Sequence, residues 1–343
     1  MSTNQELQAA LEGALREVTG GEVGIAALAM MPGGASQEMW RLDLTIPAGP
    51  WQGAHQLVMR RHVGTKIFAD ALDPAQEFRV LQAAYESGVP APRPYWFLGD
   101  LLGRPCLVMQ RLEGETIGRR IVQAVGLAEA RKSLPHQMGA ALGAIHRVPA
   151  ERYGLNALIP SPKTGETPAI VSIRRAETDL DRIGEPHPAL ELVLRWLRRN
   201  EPAPPEHLAL VHGDYRIGNV VVTPQGLTGV LDWEFAHLGD PAEDLAWGMV
   251  RDWRFGVDKL RYGGVGQPQD FFAGYQECTG IPVDLSRVHY WEVMGNLLWA
   301  AGTLDQAERH LRGVEPNLEL ASLGRRCAEM ELEALRLVRT VDK

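Results

Sequence analysis

Residues 208–234 read LALVHGDYRIGNVVVTPQGLTGVLDWE. Apolar runs flank a polar loop, His212 to Gly218, and the turn Pro224-Gln225-Gly226 separates Asn219-Val220-Val221-Val222 from Thr228-Gly229-Val230-Leu231-Asp232. The pattern predicts a β-hairpin with polar side chains at its open end. With the hairpin centred between Gln225 and Gly226, antiparallel pairing sets Asn219 opposite Asp232. A carboxylate and an amide oxygen held side by side suit magnesium, a hard cation that takes few protein ligands and completes its shell with phosphate and water. Asp214 lies just upstream, where the loop projects its carboxylate beside that ion. Asp and Asn before turns usually cap or bend the backbone, which accounts for any one of the three taken alone. Together they supply what phosphoryl transfer needs: a group that orients the acceptor hydroxyl and accepts its proton, and oxygen ligands for the metal that neutralises the phosphates.

Upstream of this island the chain predicts mostly strands. Leu7, Leu11 and Leu15 give Asn4–Val18 a helical stripe that Gly20-Gly21 stops. Extended segments follow at Gly24–Met31 and Met39–Ile46, joined by the small-residue tip Pro32-Gly33-Gly34-Ala35-Ser36, and a third at Gln56–Arg60. Asp73-Pro74-Ala75-Gln76 is an N-cap, a proline at the first helical position and a capping-box glutamine, opening a helix to Ser87. Strands at Tyr95–Leu98 and Cys106–Arg111 complete a five-stranded sheet with one helix. Beyond Gly114 helices are expected at Leu134–Arg147, Ala189–Asn200, Phe271–Thr279, Val288–Arg309 and Leu318–Val338, with a loop at Ile159–Pro168. The expected class is α+β in two lobes: an N-terminal lobe over residues 1–109, a hinge at 110–114 and a larger helical lobe over 115–343.

HGDYRIGN, LDWE and GDPAEDLAW together resemble the aminoglycoside phosphotransferase and related small-molecule kinase family, which has the protein-kinase-like fold. The resemblance runs from Gly33-Gly34-Ala35-Ser36 to about Leu337. It implies a catalytic Asp214, magnesium on Asn219 and Asp232, and structural support from His212 and from Asp244 on the following helix. For ATP it implies backbone contacts from Gly33, Gly34 and Ser36 at the tip, and backbone groups of Gln110 and Leu112 at the adenine edge. Kinases of this fold also carry a third-strand cation paired to a glutamate on the next helix. Here the strand position is Arg60, not lysine, and the glutamate is Glu77; the only lysine before Lys132 is Lys66, beyond the strand end. An arginine fork can bond phosphate and Glu77 together. Kinase-like domains joined to acyl-CoA dehydrogenases in animals are similar in this respect. Asp240 reads as a helix cap, and His146 as a packing histidine without chemistry.

With 35 Lys+Arg against 43 Asp+Glu, the net charge of −8 over 343 residues excludes a globally basic nucleic-acid binder. Hydrophobic residues at 45% exclude a disordered chain. Three dispersed cysteines give no disulfide framework, and no signal core or membrane span is expected, so the expectation is a cytoplasmic protein that binds no membrane. Neither GxxxxGK[ST] nor GxGxxG occurs. The leading expectation is an ATP- and Mg2+-dependent kinase acting on a small-molecule hydroxyl. The alternatives are an antibiotic O-phosphotransferase, a nucleotide-binding module without transfer activity, and a metal-dependent hydrolase using His212 and Asp214. The segment YWEVMGNLLWAAGTLDQAERHLR offers Trp291, Met294, Leu298 and Trp299 with few carboxylates (Glu292, Asp305, Glu308) beside Arg287, Arg309 and Arg312. That balance favours an apolar or anionic acceptor, such as a hydroxyacyl compound, over a polycationic aminoglycoside.

Overall fold

The computed structural model describes residues 4–31, 37–62 and 71–340, which divide into two compact units. The first comprises residues 1–114, 149–159 and 228–236. It opens with α1 (Asn4–Thr19), then β1 (Gly24–Met30), β2 (Gln37–Ile46), β3 (Gly53–His62), α2 (Pro74–Glu86), β4 (Pro94–Asp100) and β5 (Pro105–Gln110). The strands form the expected five-stranded antiparallel sheet, and its order is β1-β2-β3-β5-β4. Because successive strand residues face opposite sides, Leu57 and Met59 join Leu7, Leu11 and Leu15 of α1 in one core, together with Leu42, Leu44, Trp96 and Val108. Arg60 alternates to the other face, where α2 packs against β4 and β5. The predicted cap of α2 forms in full: Asp73 accepts from Ala75 and Gln76 while Gln76 reaches back to the Asp73 N–H.

The second unit comprises residues 115–148, 160–227 and 237–343. Its elements are α3 (Gly118–Gln123), α4 (Ala128–His146), α5 (Pro168–Ile183), α6 (Pro188–Arg199), β6 (Ala209–Val211), β7 (Val220–Thr223), the start of β8 (Gly226–Val230), β9 (His237–Gly239), α7 (Pro241–Trp247), α8 (Pro268–Thr279), α9 (Leu285–Leu311), α10 (Leu318–Leu323) and α11 (Cys327–Thr340). Packing of α4 on α8 depends on two glycines. A Cβ at Gly139 would lie 1.9 Å from the Phe271 carbonyl oxygen, and one at Gly274 2.0 Å from that of His136, so neither backbone has room for a side chain.

Several helical expectations need correcting. The α4 helix starts at Ala128 rather than Leu134 and runs through Pro135, whose ring is buried and whose missing N–H costs one ladder bond. The α5 helix follows the loop directly and was missed, although Thr167 caps it, Pro168 opens it and Gly184 ends it with φ +71. Leu318–Val338 is not one helix. A 3-10 turn at Gly324–Arg326 separates α10 from α11, and a Cβ on Gly324 would lie 2.8 Å from that of Ala307 on α9. No helix among the described residues is long and apolar enough to cross a membrane.

Candidate active site

The loop His212–Gly218 leaves β6, passes through a 3-10 turn at Ile217–Asn219 and enters β7. Asp244 holds it from below. The Asp240/Glu243 capping box fixes the start of α7 and places Asp244 in its first turn, fully buried. Its Oδ2 accepts from the His212 N–H at 2.6 Å and its Oδ1 from the Gly213 N–H at 3.0 Å. The His146 Nε2 lies 3.2 Å from Oδ2, with Nδ1 3.0 Å from the Tyr275 hydroxyl. Burial pushes the Asp244 carboxyl up, but the His146 bond and the charges of His146 and His212 outweigh it, and the carboxyl lies below its ordinary value. Gly213 takes φ +80, a conformation that favours glycine, and so lets two consecutive N–H groups converge on one carboxylate. The buried His212 accepts the Asp214 N–H at Nδ1 (3.3 Å).

Asp214 is 8% exposed, and four donor contacts reach its carboxylate. Trp247 Nε1 donates to Oδ1 at 2.6 Å, Asn219 Nδ2 to Oδ2 at 2.6 Å, and Arg216 Nε to both oxygens at 2.9 and 3.1 Å. Asn219 Nδ2 also bonds the Asp214 carbonyl at 2.9 Å, leaving Oδ1 as the amide's remaining polar atom. The Arg216 guanidinium stands 4.4 Å from the Trp253 ring centre, and Trp253 lies between Trp247 (5.8 Å) and Trp299 (4.7 Å). Neither Arg216 nor Trp247 was anticipated as a partner of Asp214. Both lie inside the quoted motifs, yet nothing in their spacing says which way they point.

The structure changes the hairpin argument for Asn219 and Asp232. The turn is Pro224–Gln225, between Thr223 and Gly226, one residue earlier than the sequence implies. Asn219 therefore closes the 3-10 turn before β7, and Asp232 lies beyond the end of β8. Asp232 has φ +67, in the left-handed region that Asp tolerates better than most residues.

In the first unit, Arg60 pairs with Met39 of β2 and Leu107 of β5, at the centre of the sheet. Its Nη2 donates to Glu77 Oε2, and both side chains are buried. Burial lowers the affinity of Arg60 for its proton, but Glu77 first, then Asp232 and Glu234, outweigh this and raise its pKa above the ordinary value. The adjacent Arg61 faces the α1 side and bonds Glu38 and the Leu101 carbonyl. The Gln110 N–H bonds the Arg93 carbonyl at 2.8 Å, with its side-chain oxygen accepting the Arg93 N–H at 3.2 Å; Leu112 is half-buried. Gly33, Gly34, Ser36 and Lys66 lie outside the described residues.

On α9, Trp291 and Met294 are buried core, while Leu298 and Trp299 are half-buried. The carboxylates of this helix are already paired: Glu292 with Arg261 at 2.5 Å, Asp305 with Arg182 at 2.5 Å, Glu308 with Arg312. Asp240 bonds Arg287 and Trp291 as well as capping α7.

The model of the phosphotransferase enzyme family matches residues 32–280. The chain belongs to that family. Among curated proteins it is 25% identical over 303 residues to acyl-CoA dehydrogenase family member 11 of Gallus gallus, covering 82% of this chain and 38% of that protein. It is 30% identical over 204 residues to family member 10 of Mus musculus, covering 57% of this chain and 18% of the relative. The chain thus spans less than two fifths of the length of these relatives. Among solved structures, a protein of Ralstonia eutropha JMP134 assigned as an aminoglycoside phosphotransferase without an established activity superposes with a TM-score of 0.74 at 21% identity, covering 97% of this chain and 98% of the other. Spectinomycin phosphotransferase with ADP and spectinomycin gives 0.63 at 14% identity, covering 97% and 98%. Choline kinase of Cryptosporidium parvum gives 0.57 at 12%, covering 92% and 90%. The two-lobed kinase-like α+β fold follows from these likenesses.

Proposed function

We propose that the chain transfers the γ-phosphoryl group of ATP to a hydroxyl of a small molecule, with Asp214 orienting that hydroxyl and accepting its proton. The observation that carries this reading is the Asp214 carboxylate itself. Trp247, Asn219 and Arg216 hold it in one orientation, on a loop that Asp244 pins at two successive N–H groups. In phosphoryl transfer most of the catalysis is positioning and electrostatics, so a fixed carboxylate matters more than a strong base. Arg60, kept charged by Glu77, takes the nucleotide phosphates, and backbone groups of the 110–114 segment, with Gln110 and Leu112, take the base. The Gly33, Gly34 and Ser36 backbone belongs to the same proposal, as does the division into lobes at 1–109 and 115–343.

The donor chemistry fits magnesium. The Asn219 amide presents its oxygen because its nitrogen is committed to Asp214, and Asp232 adds a carboxylate, a hard-oxygen pair of the kind this ion takes. When bound there, the ion would supply positive charge that offsets the charge of the nucleotide phosphates. His212 and Asp244 support the loop and touch no reacting atom. The buried Arg60–Glu77 pair favours a working nucleotide site over an inactive module.

For the acceptor, the run of indoles from Trp247, which bonds Asp214, through Trp253 to Trp299, with the α9 carboxylates already paired, favours an apolar or anionic hydroxyacyl compound over an aminoglycoside. The relatives named as acyl-CoA dehydrogenase family members point to acyl chemistry as well. ATP consumption measured with hydroxyacyl thioesters, aminoglycosides and choline, with Asp214→Asn as control, tests both levels. Turnover of hydroxyacyl compounds alone, abolished in the variant, is expected. Turnover of aminoglycosides or choline instead would replace the acceptor and keep the chemistry.

A further inference from the structure

Away from Asp214, three metal-ligating side chains converge where α6 packs against α11. His187 is the residue before α6; Cys327 and Glu331 stand one turn apart at the start of α11, on one helix face. An imidazole nitrogen, the thiol sulfur and a carboxylate oxygen all lie within 4.8 Å of one another. His187 Nδ1 is 3.1 Å from Glu331 Oε1, while its Nε2 is buried with no hydrogen-bond partner among the described residues, a state that ordinarily costs free energy. Cys327 is buried, and burial, then the Glu331 charge, push its thiol up to about 12. The cluster thus sets a buried, protonated thiol against a carboxylate, with an imidazole beside them.

We propose that His187, Cys327 and Glu331 form a binding site for a zinc-class divalent cation that fastens α11 to the start of α6. An imidazole, a thiolate and a carboxylate are ligand types zinc takes, with a water completing a four-coordinate shell, and the side chains of His187 and Glu331 are only partly buried. A thiolate ligand disfavours magnesium and calcium. Bonds of about 2.0–2.3 Å in a tetrahedron set ligand atoms roughly 3.5 Å apart, so closing the cluster takes side-chain movement on the order of 1 Å. On binding, the S–H bond breaks, its electron pair forms the sulfur–metal bond and the proton leaves to solvent; no group is oxidised or reduced. The cation also offsets the repulsion between thiolate and carboxylate that loss of this proton creates. The α11 helix carries Glu333, which bonds Arg254 at 2.7 Å, so the clamp steadies the helix that holds the Arg251–Arg254 turn and, with it, Trp253.

The full chain, stripped of metal and titrated with Co2+, tests this. One Co2+ per chain with a thiolate-to-cobalt charge-transfer band is expected, undiminished by excess Mg2+ and unchanged in Cys278→Ser. Cys327→Ser removes the band, and His187→Gln weakens Co2+ binding roughly tenfold or more. In the wild-type chain, Zn2+ raises Tm and shields Cys327 from alkylation, read by peptide mass mapping. This second measurement decides the matter if the variants do not fold. A Co2+ complex with no thiolate band, a band that survives Cys327→Ser, or alkylation of Cys327 at the same rate with and without Zn2+ overturns the proposal.

Discussion

Asp214 accepts hydrogen bonds from a tryptophan, an asparagine and an arginine, and the charge-assisted bond from Arg216 is the strongest type among them. Asp214→Asn keeps the shape and introduces an NH2 group that must face those donors. Nucleotide affinity is expected to survive while turnover falls by about 10²–10⁴, the range for general acid–base groups. Steady-state rates with a productive acceptor, beside ATP binding by calorimetry, check this; turnover near the wild-type rate would remove Asp214 from the chemistry. Arg60 and Glu77 predict a different signature. Arg60→Ala leaves Glu77 as a buried unpaired charge, a loss of about 3–5 kcal/mol in stability. It also weakens ATP binding by about 1.5–3 kcal/mol, the worth of a hydrogen bond to a charged group. Adding Glu77→Gln restores most of the stability and none of the affinity. Thermal denaturation and calorimetry on the single and double variants separate the two effects, and full ATP affinity in Arg60→Ala would move the phosphate contact elsewhere.

At the scale of elements, local sequence signals and packing demands can be weighed one against the other. The α2 helix is written in its cap, Asp73-Pro74-Ala75-Gln76, and α1 in three leucines at a spacing of four. The break between α10 and α11 has no such local mark, since Gly324 alone is tolerated inside many helices; it is imposed by the approach to α9. The α4–α8 contact is of the same kind. Gly274→Ala places a methyl group 2.0 Å from a backbone oxygen that cannot rotate away, so the helices must separate. Overpacking of this sort costs about 1–3 kcal/mol. The urea midpoint should fall with an unchanged m-value, and a variant as stable as wild type would show that the two helices have slack.

For the whole molecule, acid stability follows from the loop anchor. The Asp244 carboxyl titrates below its ordinary value in the folded chain, so the native state favours the ionised form. That stability is fully present above the unfolded carboxyl pKa of about 3.9 and is lost as pH falls through the lower folded value. Glu333, lowered chiefly by Arg254 against burial, adds in the same direction, whereas Glu292, raised by burial, acts in the opposite sense. Unfolding free energy should therefore drop below about pH 4, and less steeply in Asp244→Asn. Urea denaturation of both proteins across that range measures the difference; parallel curves would show that Asp244 carries no part of it. The amino-acid sequence alone determined the antiparallel five-stranded unit, the helix caps and the residue types of HGDYRIGN and LDWE, because periodicity, capping and turn chemistry act within a few residues. The pairing of Arg60 with Glu77, 17 positions apart, came from the family resemblance carried by those motifs and not from spacing, and the structure joins the two side chains. Only the tertiary structure decided that Trp247, 33 residues away, donates to Asp214, that Arg216 stacks on Trp253, and that His187 meets Cys327 and Glu331. Those contacts join elements distant in sequence, and no spacing along the chain records which side chains packing brings face to face.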